Sequence, residues 1–226
     1  KMETGNINGV RLFKLFLPKT RGGENEVLVA NLFSELGLLS PRTRMIDVDI
    51  NDIRLKMIFQ EKLAKELVEA NMLRESALIK LNDKLMWDLR IKGEGSSFFN
   101  SQIFPGIVNK NWLAKGDTNL KIGIKALNRT SIALDDTTVD YVDDDVPIKI
   151  SLLSNENKKI LSDQSFFSIL SAASKSLHLN YKHNRRYYYN PFHDSLIPIY
   201  YDGDSKILNS QNSIKFTLPV IYPAFL

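Results

Sequence analysis

His183-Asn184-Arg185-Arg186-Tyr187-Tyr188-Tyr189-Asn190-Pro191, followed by Ile197-Pro198-Ile199-Tyr200-Tyr201-Asp202-Gly203-Asp204, is the stretch whose reading decides the fold. A polar loop carrying an Asn leads into an aromatic strand, a Pro-containing turn, a second strand and then an Asp-Gly-Asp. Two short strands joined by such a turn make a rigid hairpin. Its open ends hold Asn184 and Asp202 side by side, where an amide oxygen and a carboxylate can share one hard cation such as Mg²⁺. Taken singly, Asn184 reads as a turn Asn and Asp202 as the start of an Asp-Gly turn.

Upstream of this stretch, residues 160–177 set Phe166, Phe167, Ile169, Leu170, Ala173 and Leu177 in a broad apolar stripe behind a Ser162-Asp163 cap. This predicts a core helix that delivers the chain into the polar loop 178–186. Nearer the N-terminus, residues 10–17 alternate as a strand that Pro18 ends. Residues 24–36 carry Val29, Leu32, Phe33 and Leu36 at helical spacing, with Gly37 as a stop. Strands at 45–50 and 53–60 flank the turn pair Asn51-Asp52 and predict a hairpin, and 61–71 reads as a second helix on Leu63, Leu67 and Ala70. Residues 77–81 read as a short strand, 93–97 as a flexible loop, and 120–127 as either strand or helix. The acidic run from Asp135 to Asp145 reads as a solvated loop before a metal site, because carboxylate ligands need fixed geometry as well as charge. The chain opens at Lys1 and reaches a strand-like segment at 214–218, so either end can be a cut.

A hydrophobic content of 43% is enough for a real core, in one large domain or two small lobes. The 30 basic and 26 acidic residues leave a net charge of only +4, spread along the chain, which argues against nucleic acid or an anionic membrane as partner. The absence of cysteine excludes disulfides, thiolate metal sites and thiol catalysis. No apolar run approaches the roughly 18 residues of a membrane span. His178, His183 and His193 lack the i, i+4 spacing of helical zinc sites.

In order and spacing, Arg11-Leu12-Phe13-Lys14-Leu15-Phe16-Leu17-Pro18-Lys19-Thr20-Arg21, Glu24-Asn25-Glu26, Glu35-Leu36-Gly37-Leu38-Leu39-Ser40-Pro41-Arg42-Thr43, Met57-Ile58-Phe59-Gln60-Glu61-Lys62 and the opening stretch resemble the spore coat protein H (CotH-like) kinase family. The likeness runs over about residues 10 to 205 and is thinnest in the middle. It implies an α+β, two-lobed protein-kinase-like fold, with a smaller N-terminal lobe over 1–82 and a larger C-terminal lobe over 83–226 that carries a catalytic-loop-like segment. It further implies ATP- and Mg²⁺-dependent phosphotransfer to protein serine.

Under that resemblance Lys14 is the strand lysine that reaches the ATP phosphates and Glu26 is its helix partner. Glu61, with Gln60, stands at the hinge beside the nucleotide. His183 and Asn184 lie in the catalytic loop, Asn184 and Asp202 hold Mg²⁺, and Asp204 is a second carboxylate. By residue type alone, Lys14 reads as a surface lysine and Glu26 as a solvated helix residue. One departure matters: a catalytic loop H-R-D-x-x-x-x-N puts its Asp five positions before the Asn, which falls here on Leu179. No carboxylate lies between His178 and Asp194, so His178 or His183 is left as the candidate base. No G-x-G-x-x-G precedes Lys14 either. Three readings follow: a kinase acting on a protein substrate, a catalytically weak pseudokinase serving as a nucleotide-binding or interaction surface, and a binding domain unrelated to kinases. Oligomeric state stays open, as does compartment, between the cytoplasm and the cell or spore surface of a bacterium.

Overall fold

The computed structural model describes residues 5–82, 84–93, 104–135 and 158–209. Most of the acidic run (136–145), residues 94–97 of the expected loop and the strand-like segment at 214–218 lie outside the described residues. The protein is a mixed α+β chain with two antiparallel sheets.

The first sheet takes the order β1-β3-β2 from β1 (Phe13–Phe16), β2 (Thr43–Ile50) and β3 (Ile53–Glu61). Asn51 and Asp52 both have positive φ, 52° and 63°, as a two-residue hairpin turn requires. Lys14, Gln60 and Thr43 stand opposite one another in a row across the three strands, and their side chains share one face. The helix α1 (Glu24–Glu35) covers that face. Its first turn carries Glu24 and Glu26 where the helix dipole favours negative charge. Gly37, at φ 78°, ends it with the Leu38 N–H donating back to the Phe33 carbonyl at 3.0 Å.

The helix expected over 61–71 is shorter. β3 continues through Glu61, which pairs with Phe13, and the helix α2 is confined to Lys65–Ala70. Leu67 and Val68 are its buried positions. Among the described residues the chain continues with the helices α3 (Lys84–Ile91), α4 (Lys110–Leu113) and α5 (Asp117–Asp135), so the ambiguous segment 120–127 is helical.

The second sheet has the order β5-β4-β6-β7, from β4 (Leu78–Asn82), β5 (Phe104–Ile107), β6 (Arg186–Asn190) and β7 (Ser195–Pro198). β4 is therefore part of this sheet, although it lies in the segment 1–82. On one side Tyr187 and Tyr189 pack with Ala126 and Ala133 of α5; on the other Tyr188 packs with Leu67 and Val68 of α2. Coverage of both faces explains why β6 reads as an unbroken aromatic run and not as an alternation.

The helix expected over 160–177 is α6 (Lys158–Ala173), and its buried side differs from the apolar stripe. Phe167 is buried, while Phe166, Ile169 and Leu177 are exposed by 39%, 44% and 43%. Gln164, Ser171 and Ser174 are buried instead. The Ser171 hydroxyl donates to the Phe167 carbonyl at 2.7 Å and that of Ser174 to Leu170 at 2.7 Å, so small polar residues go inward without an unmet donor. Val29 and Phe33 of α1, Phe167 of α6 and Tyr200 form one core that joins the two halves of the chain. The Tyr200 N–H donates to the Leu39 carbonyl at 2.8 Å across the same seam.

Candidate functional site

Above that shared core, the expected site residues come together around the end of the β6–β7 hairpin. Glu26 is fully buried on the inner side of α1. The Gln60 amide donates to its Oε1 at 3.0 Å and the Tyr200 hydroxyl to its Oε2 at 2.8 Å. Burial pushes its carboxyl pKa up, against the hydrogen bond from Tyr200, the charge of Arg21 and the hydrogen bond from Gln60. Tyr200 titrates well above the ordinary phenol range because it is buried and faces Glu26. Gly203 packs so closely that a Cβ there would sit 2.5 Å from the Tyr200 hydroxyl oxygen. One hydroxyl thus ties the helix carboxylate to the Asp-Gly-Asp turn.

The expected Lys14–Glu26 ion pair is not formed. Lys14 is exposed, and its Nζ lies 5.8 Å from the ring centre of Phe16 and 6.0 Å from that of Tyr201. Its cross-strand neighbour Gln60 is the residue that bonds Glu26 instead.

Asp202 is held by a residue the sequence did not single out. Arg21 Nη1 lies 2.7 Å from Asp202 Oδ1 in an ion pair. Arg21 Nη2 donates to the Tyr201 hydroxyl at 3.2 Å. Its guanidinium carbon lies 4.4 Å from the Phe16 ring centre and 5.0 Å from that of Tyr201, within cation–π range. Arg186 approaches the Tyr201 ring to 4.5 Å. Lys14, Arg21 and Arg186 thus share one aromatic ring. Burial raises the Tyr201 phenol, but the charges of Arg21 and Lys14, the Arg21 hydrogen bond and the charge of Arg186 outweigh it, and the net shift is downward. For Arg21 burial acts downward, yet Asp202 and Tyr201 carry its pKa up.

Asn184 is buried and does stand beside Asp202. Its Nδ2 donates to the His178 carbonyl at 3.1 Å and lies 3.5 Å from the Asp202 carbonyl oxygen. His178 Nδ1 lies 3.1 Å from the same Asp202 carbonyl and 2.9 Å from Asn184 Nδ2, so it donates to the first in one tautomer and accepts from the second in the other. The backbone at Asp202 and Asp204 is left-handed, with φ of 56° and 44°, a conformation that costs a non-glycine residue about 1 kcal/mol or more. His183 packs edge-on against His178 and Trp87, with ring centres 5.8 and 6.3 Å apart.

Two expected residues stand apart from this cluster. The Glu61 carboxylate is gripped by Arg42, Nε to Oε2 at 2.9 Å and Nη2 to Oε1 at 2.6 Å. Asp204 is exposed and faces the Gly22 loop.

The donor set was tested against Mg²⁺. Among the described residues no group of three or more His, Asp or Glu side chains could form an all-protein metal cage. Mg²⁺ does not require one: it keeps several waters and takes one or two carboxylates together with substrate phosphates. The Asp202 carboxylate suits an ion that arrives with a phosphate ligand, and Asn184, whose NH2 faces the His178 and Asp202 carbonyls, has its amide oxygen as the remaining ligand atom.

No protein-family model matches this chain. No curated protein matches it either. The site therefore rests on its own geometry. Among the described residues no helix is long and apolar enough to cross a membrane. Arg21, Tyr200, Tyr201 and Arg186 were missed as site residues, although Arg21 closes the motif that begins at Arg11, and Arg186 and both tyrosines lie in the opening stretch; their contacts join residues up to 180 positions apart, a distance at which strand and helix periods carry no signal.

Proposed function

We propose that this protein binds a Mg²⁺–nucleotide at the hairpin end and is an ATP-dependent phosphotransferase of the CotH-like kinase family, with a two-lobed kinase-like fold and protein serine as acceptor. The observation that carries this reading is the meeting of Asp202 and Asn184 with Lys14, Arg21 and Arg186 around Tyr201. One carboxylate, one amide and three cations are a poor structural core but a suitable cradle for a charged phosphate chain with its metal. When bound, Mg²⁺ would neutralise phosphate charge during transfer.

The chain's own residues do the rest. Lys14 and the two arginines offset the remaining negative charge, and Tyr200 holds Glu26 and the Asp-Gly-Asp turn in fixed relation. In the transfer a bond forms between the serine oxygen and the γ-phosphorus, the bond from that phosphorus to the ADP oxygen breaks, and the hydroxyl proton passes to a base. His178, whose ring nitrogens stand beside Asn184 and the Asp202 carbonyl, is the candidate, since a neutral imidazole always keeps one nitrogen as an acceptor. A specific observation also favours the slower, pseudokinase-like reading: the loop has no carboxylate in the base position, and Glu26 is bonded to Gln60 and Tyr200 in place of Lys14.

The test is ATP binding with and without Mg²⁺, by calorimetry or thermal shift, in the wild type and in Asp202→Ala. The wild type should bind ATP in a Mg²⁺-dependent manner and the variant should lose that dependence. Identical Mg²⁺-dependent binding by the two proteins would remove Asp202 from the metal role.

A further inference from the structure

Arg21 is placed unlike a loose surface cation. It is 9% exposed, set over two aromatic rings, bonded to the Tyr201 hydroxyl and in ionic contact with Asp202. The loop that carries it passes through Gly22 and Gly23, at φ 68° and 62°, into α1. A Cβ at Gly22 would stand 3.3 Å from the Ser205 carbonyl oxygen, so this loop lies directly on the Asp-Gly-Asp segment. Only Nη1 meets the Asp202 carboxylate, so the pair is not the two-pronged one that makes a guanidinium–carboxylate contact strongest. The rings and the Tyr201 hydroxyl would keep Arg21 in place if its single contact with Asp202 were exchanged for another anion.

Building on the Mg²⁺–nucleotide reading, we propose that Arg21 is an exchangeable partner of Asp202, which it neutralises until a divalent ion binds there and which it then leaves for the phosphate oxygens of the incoming ligand. The planar guanidinium fork fits a carboxylate and a phosphate equally well. A metal alone at Asp202 would leave a mostly buried arginine without its counter-ion, which is costly. A phosphate alone would have to take Arg21 from Asp202 and leave that carboxylate beside a second anion. Metal and phosphate together satisfy both groups. The two ligands therefore favour one another, and the coupling is reciprocal. Lys14 and Arg186, already at the Tyr201 ring, keep the local charge positive enough to draw the phosphate in.

The experiment measures three affinities by calorimetry: Mn²⁺ alone, ATP in a chelator, and ATP with Mn²⁺. In the wild type the first two should be weak and the third tight. Arg21→Gln should bind Mn²⁺ alone more tightly, bind ATP with Mn²⁺ about tenfold more weakly, as expected for one lost charged hydrogen bond, and lose the coupling. Asp202→Asn should do the reverse: Arg21 is released, ATP in chelator binds more tightly than in the wild type, and Mn²⁺ adds nothing. This second variant reads the exchange even if Arg21→Gln does not fold. Unchanged or weaker binding of Mn²⁺ alone by folded Arg21→Gln, or of chelated ATP by Asp202→Asn, overturns the exchange. Loss of the Mn²⁺ effect in Asp202→Asn alongside a wild-type profile in Arg21→Gln overturns the exchange alone and keeps the nucleotide reading. A wild type that binds neither Mn²⁺ nor ATP in any arm overturns both.

Discussion

Glu26 holds its carboxyl in a fully buried position with two neutral donors, Gln60 and Tyr200, and burial raises its pKa. A carboxyl raised in the folded state binds its proton more tightly folded than unfolded. Its contribution to stability is complete below the unfolded value of about 4.3 and is lost as pH rises through the folded value. Glu26→Gln has no such titration. Melting temperatures of the two proteins measured from about pH 4 to neutral should therefore shift in the variant's favour as pH rises. A gap that moves in the wild type's favour would mean that the donors around Glu26 outweigh its burial. The same carboxylate shows a limit of sequence reading: its helix position was legible, but the resemblance paired it with Lys14, whereas the packing of sheet, helix and hairpin gives it Gln60 and Tyr200.

At the scale of elements, α6 separates pattern from packing. Its sequence offers Phe166, Phe167, Ile169 and Leu170 as apolar, and the fold buries Phe167 while leaving Ile169 44% exposed. Phe167 meets Phe33 edge-on with ring centres 5.0 Å apart in the core that joins the two halves. Phe167→Ala should cost about 3–5 kcal/mol in a denaturant melt, as large core truncations do. Ile169→Ala should change stability by no more than about 0.5 kcal/mol. Comparable losses at both positions would show that the helix face is turned differently. The β6–β7 hairpin behaved more simply: the turn residues and the run of aromatic residues specify both strands, and the pairs Tyr187 with Pro198 and Asn190 with Ser195 fix the register that brings Asn184 to Asp202.

For the molecule as a whole, the candidate site lies on the seam where α1 of the first half meets the hairpin of the second. His178 and His183 occupy different positions on that seam. His178 contacts Asn184 and the Asp202 carbonyl, whereas His183 packs among the rings of Tyr181, His178 and Trp87. If the proposed nucleotide site holds, His178→Ala should lower both phosphate turnover and Mg²⁺-dependent ATP affinity, since it removes a support of Asn184 and Asp202 as well as the candidate base. His183→Ala should spare affinity. Rapid phosphotransfer in the His178→Ala, His183→Ala double mutant would place the base on another element.

The sequence by itself determined what depends on neighbours along the chain. The strand within 10–17, which the structure confines to Phe13–Phe16, the Asn51-Asp52 turn, the stop at Gly37 and the hairpin that brings Asn184 beside Asp202 are all set by local dihedral preferences and by periods of a few residues. Tertiary structure alone decided which charges meet. Lys14, Lys19 and Arg21 lie within a few residues of one another and are equivalent in any local pattern, yet only the packing of the Gly22-Gly23 loop against Ser205 delivers Arg21 to Asp202. Tyr200 likewise reaches Glu26 across 174 positions. Side-chain charge has no period and acts over a few ångströms in space, so its partners exist only once the two sheets have been brought together.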